Sequence, residues 1–269
     1  MVNLRSNLIQ DKYNDKPKNI IIFDTETTGL NPFKDRIIEF SFTKLKNNTG
    51  NTILINPEMN ISDKSTEIHK ITNEMLEDEY TFEEIIDNLE KDLLCKSNED
   101  PIYLIGHNCF CFDELMLKRE YERLNRKMPE QFIFLDTLPI VRALIKDIEN
   151  HKQPTLKEYF NINEISEEHA HTAMGDVLVL AEIWEKLTKI QEENELIELS
   201  LNYKKKMNFG AHKNKLICDI PESYINWMIS QNIILSKDND KIDDNKSLSG
   251  YYNHNIFLDN NEYYRNKFK

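Results

Sequence analysis

Residues Asn19–Leu30 read NIIIFDTETTGL, four apolar side chains running straight into an aspartate and, two positions on, a glutamate. Strand side chains alternate faces, so Ile20, Ile22, Asp24 and Glu26 project to one side and Ile21, Phe23 and Thr25 to the other. Two carboxylates therefore share one face at the end of a strand whose apolar run marks it as buried. Anions held side by side there repel and are costly to desolvate unless a cation or a proton sits between them. A strand end facing water is the plain alternative in a chain with 47 acidic residues.

At 269 residues, 39% of them hydrophobic, the chain can bury one substantial core with length left for a smaller unit. Its first 18 residues hold no apolar stretch of signal-peptide length, and nowhere do about 18 apolar residues run together, so the expectation is a soluble, cytoplasmic protein with no membrane association. Cys95, Cys109, Cys111 and Cys218 are too few and too irregular for a disulfide framework, and no second pair accompanies Cys109 and Cys111 to make a zinc site. All four are read as reduced thiols. A net charge of −13 argues against coating duplex DNA, which depends on neutralising phosphates, while leaving local handling of a strand end open. Residues 201–217 hold five lysines and no acid, either a guide for nucleic acid or a solvated basic face.

Two further strand-like runs, RIIEFSFTKL and NTILIN, follow the first and are separated by the turn-forming KNNTGN, which predicts an antiparallel meander. Beyond them the pattern alternates: a helix over 81–95, the strand PIYLIGHN, a helix over 112–126, the strand QFIFLDT, then helices to about 190. Alternation of this kind predicts parallel strands joined by crossover helices, hence an α/β fold with a mixed sheet flanked by helices. The chain divides into an N-terminal extension (1–18), a main domain (19–192), a small C-terminal unit with a helix after Pro221 (200–235) and a flexible polar tail (236–269). Deleting residues 201–269 is accordingly expected to leave the main domain working on short substrates.

Two later helices carry an aspartate where periodicity wants an apolar residue. In HTAMGDVLVLAEIWEKL, Ala173, Val177, Leu180, Ala181, Trp184 and Leu187 form the buried stripe, and Asp176 lies inside it. In CFDELMLKREYERL, Asp113 aligns with Leu117, Tyr121 and Leu124, although a first-turn carboxylate favoured by the helix dipole is an equal reading. Four inward carboxylates from one strand and two helices suit two hard divalent cations, Mg²⁺ or Mn²⁺. His171, five residues before Asp176, is either a polar cap or a base able to take a proton from water.

These segments resemble the three motifs of the DnaQ-like DEDDh 3′–5′ exonucleases of the ribonuclease H-like fold, over residues 19–190. FDTETTGL resembles the first motif, IGHNCFCFD the second, and AHTAMGDVLVL the third, the H-x-A-x-x-D form. Five residues separate Asn108 from Asp113 where many members have four, a spacing similar to the TREX-like branch. FGAHKNKLICDIPESYINWM resembles the small unit following the nuclease in exonuclease X-like proteins, with Ala211 and Asn214 replacing a lysine and a glycine of the usual G-K-H-K-G-K.

The resemblance implies that Asp24, Glu26 and Asp176 hold one Mg²⁺, that Asp24 and Asp113 hold a second, and that His171 takes the proton of the attacking water. It also places Thr27, Leu30 and Asn108 against the terminal nucleotide, Leu30 as an apolar wedge, although Leu30 is equally read as a turn residue packed into the core. The implied substrate is the 3′ end of a nucleic acid, DNA before RNA, released as nucleoside 5′-monophosphates. A protein partner docking through the C-terminal unit or the tail is a further expectation, and an oligomer is left open. The rivals are an RNA-trimming exonuclease, which only contacts to a 2′-hydroxyl distinguish, and an inactive nuclease fold serving as a binding module; against the second, none of the five catalytic residues is missing.

Overall fold

β1 (Asn19–Thr27) lies at the centre of a five-stranded sheet, and its position explains its composition. In the computed structural model, which describes residues 18–94, 100–162, 173–234 and 253–268, the strand order is β3-β2-β1-β4-β5. β2 (Ile37–Lys44) and β3 (Thr49–Leu54) form the antiparallel meander, while β4 (Ile102–Gly106) and β5 (Phe132–Asp136) are parallel to β1. This is the mixed sheet, part antiparallel and part parallel, that the alternation predicts.

The helices in chain order are α1 (Asp63–His69), α2 (Asn73–Leu76), α3 (Phe82–Leu93), α4 (Asp113–Arg123), α5 (Thr137–Leu144), α6 (Gln153–Tyr159), α7 (Ala173–Ile190), α8 (Glu193–Lys204), α9 (Glu222–Ser230), α10 (residues 253–260) and α11 (Glu262–Phe268). α3 starts where the Glu84 carboxylate accepts the Thr81 N–H at 2.8 Å, and it buries Ile85, Ile86, Leu89 and Leu93 at helical spacing. Both faces of β1 are covered. Ile21 and Phe23 pack with α3 and α4, and Ile20 and Ile22 pack with Ile140 of α5 and Val177, Leu180, Ile183 and Trp184 of α7. Each fully buried side chain of this size contributes about 1.5–3 kcal/mol. That is why a strand buried on both sides reads as an unbroken apolar run until its last residues.

The C-terminal third departs from expectation. Ile217, Ile225, Met228, Ile256, Phe257 and Tyr264 are buried in the same cluster as Ile21 and Phe23, so the small unit is continuous with the main core. A flexible polar tail over 236–269 does not describe residues 253–268, which are helical. The Asn- and Tyr-rich composition conceals three large side chains that meet the core. Asn261 separates the two helices: its side-chain NH₂ donates to the Ile217 carbonyl at 2.9 Å, and its carbonyl accepts the Tyr264 N–H at 2.9 Å. The remaining part of that tail and residues 1–17 of the N-terminal extension lie outside the described residues. Among the described residues no helix is long and apolar enough to cross a membrane, and Cys109, Cys111 and Cys218 are free.

Candidate active site

β1 outruns its neighbour. Its pairing with β4 ends at Ile22 and Ile105, yet β1 continues to Thr27, and residues 107–112 with the first turn of α4 occupy the space beyond the end of β4. On the face toward α7 stand Asp24 and Glu26, directly opposite Ser41 and Glu39 of β2. On the other face, Thr25 Oγ1 donates to Asp113 Oδ1 at 2.6 Å. Asp113, 6% exposed, is thereby held at the strand end by a neighbour of the two acids it approaches. Asp176, in the first described turn of α7, completes the group and bears electrostatically on both Asp24 and Glu26.

One expectation is corrected. Asp176 is exposed and does not lie inside the buried stripe, although Ala173, Val177, Leu180, Trp184 and Leu187 are buried as predicted and Ala181 is half-buried. The stripe runs out where α7 passes the polar end of β1, and Asp176 stands exposed at its rim.

The cluster is electrostatically frustrated without a cation. Burial, then the Asp113 charge, then Glu26, Asp176 and Glu39 hold the Asp24 carboxyl well above the usual carboxylate range. Burial, followed by Glu39, Asp176 and Asp113, pushes Glu26 up to about 7. Burial also raises Asp113 to about 6, with the Thr25 hydrogen bond pulling the other way. Among the described residues no three carboxylates close into a tight ligand cage. The donor set nevertheless fits divalent cations: hard oxygen ligands, several charges on a central aspartate, and repulsion that a cation would relieve.

Sequence reasoning missed Glu39. Only 6% exposed, it sits across from Glu26 with its carboxylate accepting the Ser41 hydroxyl at 3.0 Å, and Ser41 Oγ lies 2.9 Å from Thr52 Oγ1. Burial raises its pKa as well. The signal was present: RIIEFSF places an acid on the face of a buried strand, the same anomaly as Asp24 and Glu26. Recognising its consequence needed the register, which brings two like charges directly opposite one another. Glu39→Gln keeps an acceptor for Ser41 and removes the charge. The variant is expected to stabilise the metal-free protein by about 1 kcal/mol at pH 8, with the gain shrinking toward pH 4, as urea midpoints at the two pH values would show.

Buried polar devices hold the loops that flank the cluster. Asp136, 2% exposed at the start of α5, accepts the N–H groups of Asn108 (2.8 Å), Phe110 (3.2 Å) and Leu138 (2.8 Å), which fixes the second-motif loop. Burial lifts its pKa to about 7 while those hydrogen bonds oppose the rise. Asn108 is exposed with φ of 64°, a left-handed conformation that asparagine tolerates. His107, whose pKa burial lowers to about 4, is neutral and bridges Thr137 Oγ1 at 2.9 Å and the His151 carbonyl at 2.8 Å.

The loop after β1 is anchored to α4. Glu120, wholly buried, accepts Arg36 Nε at 3.0 Å, Arg123 Nη1 at 3.0 Å and the Ile37 N–H at 3.1 Å, while Arg123 also donates to the carbonyls of Pro32 and Asp35. Gly29 leaves room here for the Asp35 carboxylate, which lies 2.6 Å from where a Cβ would stand and would have to shift. On this braced loop Leu30 is 44% exposed, so it is not packed into the core, whereas Thr27 is buried with its hydroxyl donating to the Gly29 carbonyl at 2.8 Å. Glu120→Ala leaves two guanidiniums without their shared anion. It is expected to destabilise the fold by about 2–4 kcal/mol, measurable by urea denaturation.

The structure thus gathers Asp24, Glu26, Asp113 and Asp176, places Leu30 and Asn108 on exposed loops, and buries Thr27. His171 lies outside the described residues.

A fold with acids gathered at the end of its central strand defines a class, and comparison with known proteins identifies it. The family model described as Exonuclease matches residues 21–184, and the chain belongs to the DnaQ-like exonuclease family. A second model, described as Putative quorum-sensing-regulated virulence factor, matches residues 192–233. The chain is 31% identical to Exonuclease DPD1, chloroplastic/mitochondrial, of Arabidopsis thaliana, over 69% of this chain and 61% of that protein. It is 32% identical to the DNA polymerase III subunit epsilon of Buchnera aphidicola, over 68% of this chain and 76% of that protein. It is 33% identical to the DNA polymerase III PolC-type of Caldanaerobacter subterraneus, over 64% of this chain but only 12% of that much longer protein. Among solved structures it shares the fold of Exonuclease X in complex with 5′ overhanging duplex DNA (TM-score 0.51, 20% identity, 67% of this chain and 99% of that one). It likewise shares the fold of E. coli exonuclease I in complex with a dA16 oligonucleotide (TM-score 0.55, 17% identity, 70% of this chain and 44% of that one).

Proposed function

We propose that this chain is a divalent-metal-dependent 3′–5′ exonuclease that removes nucleoside 5′-monophosphates from the 3′ end of DNA, single strands in preference to duplex. The observation that carries the reading is the convergence of Asp24, Glu26, Asp113 and Asp176 on the open end of β1, with carboxyl pKa values raised by burial and by one another. In this reading Asp24, Glu26 and Asp176 hold one Mg²⁺ or Mn²⁺, and Asp24 with Asp113 holds the second. Two such cations, when bound, offset the charge of the scissile phosphate and make water easier to deprotonate.

The chain's own groups do the rest. Thr25 fixes the Asp113 carboxylate, and Ser41 fixes Glu39 behind Glu26. His171, at H-x-A-x-x-D spacing from Asp176, takes the proton of the attacking water. The water oxygen then forms a bond to phosphorus as the bond to the 3′-oxygen breaks. Leu30 and the exposed Asn108, on loops held by Glu120 and Asp136, meet the terminal nucleotide, with Thr27 beneath them. DNA as the substrate is supported by the relatives, whose names include two DNA polymerase components, and by neighbours solved with DNA. Single-stranded DNA, duplex DNA and RNA carrying a 5′ label, digested side by side, test the reading. Stepwise shortening fastest on single-stranded DNA is expected; preferential shortening of RNA would reassign the substrate, and loss of the 5′ label first would reverse the polarity.

A further inference from the structure

We propose that His212, Tyr224 and Trp227 form a base-stacking platform for the part of a nucleic-acid strand that lies outside the nuclease cleft. The inference rests on the exonuclease reading for the source of that strand. Three aromatic rings adjoin one another on the C-terminal unit, running from half-buried His212 and Tyr224 to exposed Trp227: His212 and Tyr224 meet edge to face with centroids 4.5 Å apart, and Tyr224 and Trp227 are tilted by 34° with centroids 5.1 Å apart. Their backbone supports are packed and hydrogen-bonded. Ile225 and Met228 anchor the adjoining face of α9 in the core, and the Asn226 side-chain NH₂ donates to the Tyr263 hydroxyl at 2.9 Å. His212 comes from a closed hairpin, in which the Met207 N–H donates to the Lys215 carbonyl at 2.9 Å and the Asn214 N–H to the Met207 carbonyl at 2.7 Å. Trp227 is 47% exposed at the end of the row, a position that forfeits apolar burial in the fold and leaves a ring face open.

Charge decides the occupant. The hairpin that carries His212 also carries Lys206, Lys213 and Lys215, all exposed, and none of them forms an ion pair with a described residue, whereas the nearby Lys204 is committed to Glu114. Asp219 and Glu222 are the exposed acids nearest in sequence. Aromatic rings beside uncompensated lysines match the two components of single-strand binding, stacking on bases and attraction to the backbone, and stacking tolerates any base sequence. An apolar peptide would use the rings and leave the lysines without partners.

The chain supplies its own probe. Of its two tryptophans, Trp184 is 1% exposed inside the core and Trp227 is open, so fluorescence quenching on strand binding reports Trp227. Full-length protein in chelator, which blocks cleavage, is titrated with a single strand of about 20 deoxyadenylates while anisotropy of a label on the strand follows binding. Expected are quenching of the wild type on saturation, an affinity about tenfold or more weaker for Trp227→Ala, and an affinity within about threefold of the wild type for Trp227→Phe. Saturation without quenching, or equal affinity of the wild type and Trp227→Ala, overturns the platform and leaves the surface to a protein partner. The exonuclease reading fails separately, if the same labelled strand stays intact with wild-type protein and Mg²⁺ while quenching persists.

Discussion

Asp24→Asn is expected to abolish the proposed 3′-end cleavage and at the same time to stabilise the metal-free protein at pH 8. The two effects share one cause. Asp24 is the acid on which the charges of Asp113, Glu26, Asp176 and Glu39 all bear, and burial compounds their repulsion. Removing its charge deletes the ligand common to both proposed cation positions, worth several kcal/mol of transition-state stabilisation, or about a thousandfold and more in rate. It also removes the most frustrated anion from the apoprotein, so the urea midpoint rises. For Glu26→Gln the corresponding gain has a ceiling: a rise from the usual 4.5 to about 7, at about 1.4 kcal/mol per pH unit, caps it at about 3.5 kcal/mol.

The same groups give the apoprotein a pH dependence, which the lowered pKa values of buried His107 and His254 oppose in part. With carboxyl pKa values raised in the folded state, the native chain binds more protons than the unfolded chain between about pH 4 and pH 7. The stability contributed by these protons is fully present below the unfolded pKa values and is lost as pH rises through about 6 to 7. Metal-free protein is therefore expected to unfold at lower urea at pH 8 than at pH 5. Added Mg²⁺ is expected to raise the midpoint strongly at pH 8, where the carboxylates are ionised, and little at pH 5, where protons compete.

Truncation after residue 200 is expected to unfold the protein, contrary to what the sequence alone suggests. Ile225, Met228, Phe257 and Tyr264 are each 1% exposed or less, in one cluster with β1 and α4. At about 1.5–3 kcal/mol each, the four contribute about 6–12 kcal/mol, comparable with the whole stability of a typical domain at about 5–15 kcal/mol. The cut also removes Lys204 from Glu114, which is 2% exposed, next to Asp113, and otherwise paired with Lys118 at 3.1 Å. Loss of cooperative unfolding by circular dichroism, with rapid proteolysis of fragment 1–200, is the expected result. A folded fragment that still cleaves short oligonucleotides would restore the picture of a separable unit.

The difference between legible and illegible parts is physical. Strand identity and the pairing of Asp24 with Glu26 on one face follow from a period of two, and the apolar stripe of α7 follows from a period of 3.6, so both could be read locally. Glu39 required the register between β1 and β2, a long-range fact. Asp176 was placed correctly along the chain but not in depth, because a helical stripe does not show where the sheet beneath it turns polar. The packing of α10 and α11 was hidden for a similar reason: a few large apolar residues among many Asn and Tyr suffice when the partner surface already exists. The lock of Asp136 on the Asn108 loop joins residues 28 positions apart, which no local pattern encodes.

Cleavage of a 5′-labelled single strand by wild-type and Asp24→Asn protein, first in chelator and then across a Mn²⁺ titration, bears most directly on the acid cluster as a metal-dependent 3′-end nuclease. Stepwise shortening from the 3′ end is expected of the wild type only after Mn²⁺ is added, and of Asp24→Asn at no concentration. Full turnover of the wild type in chelator, or shortening by Asp24→Asn at the wild-type rate, would contradict it.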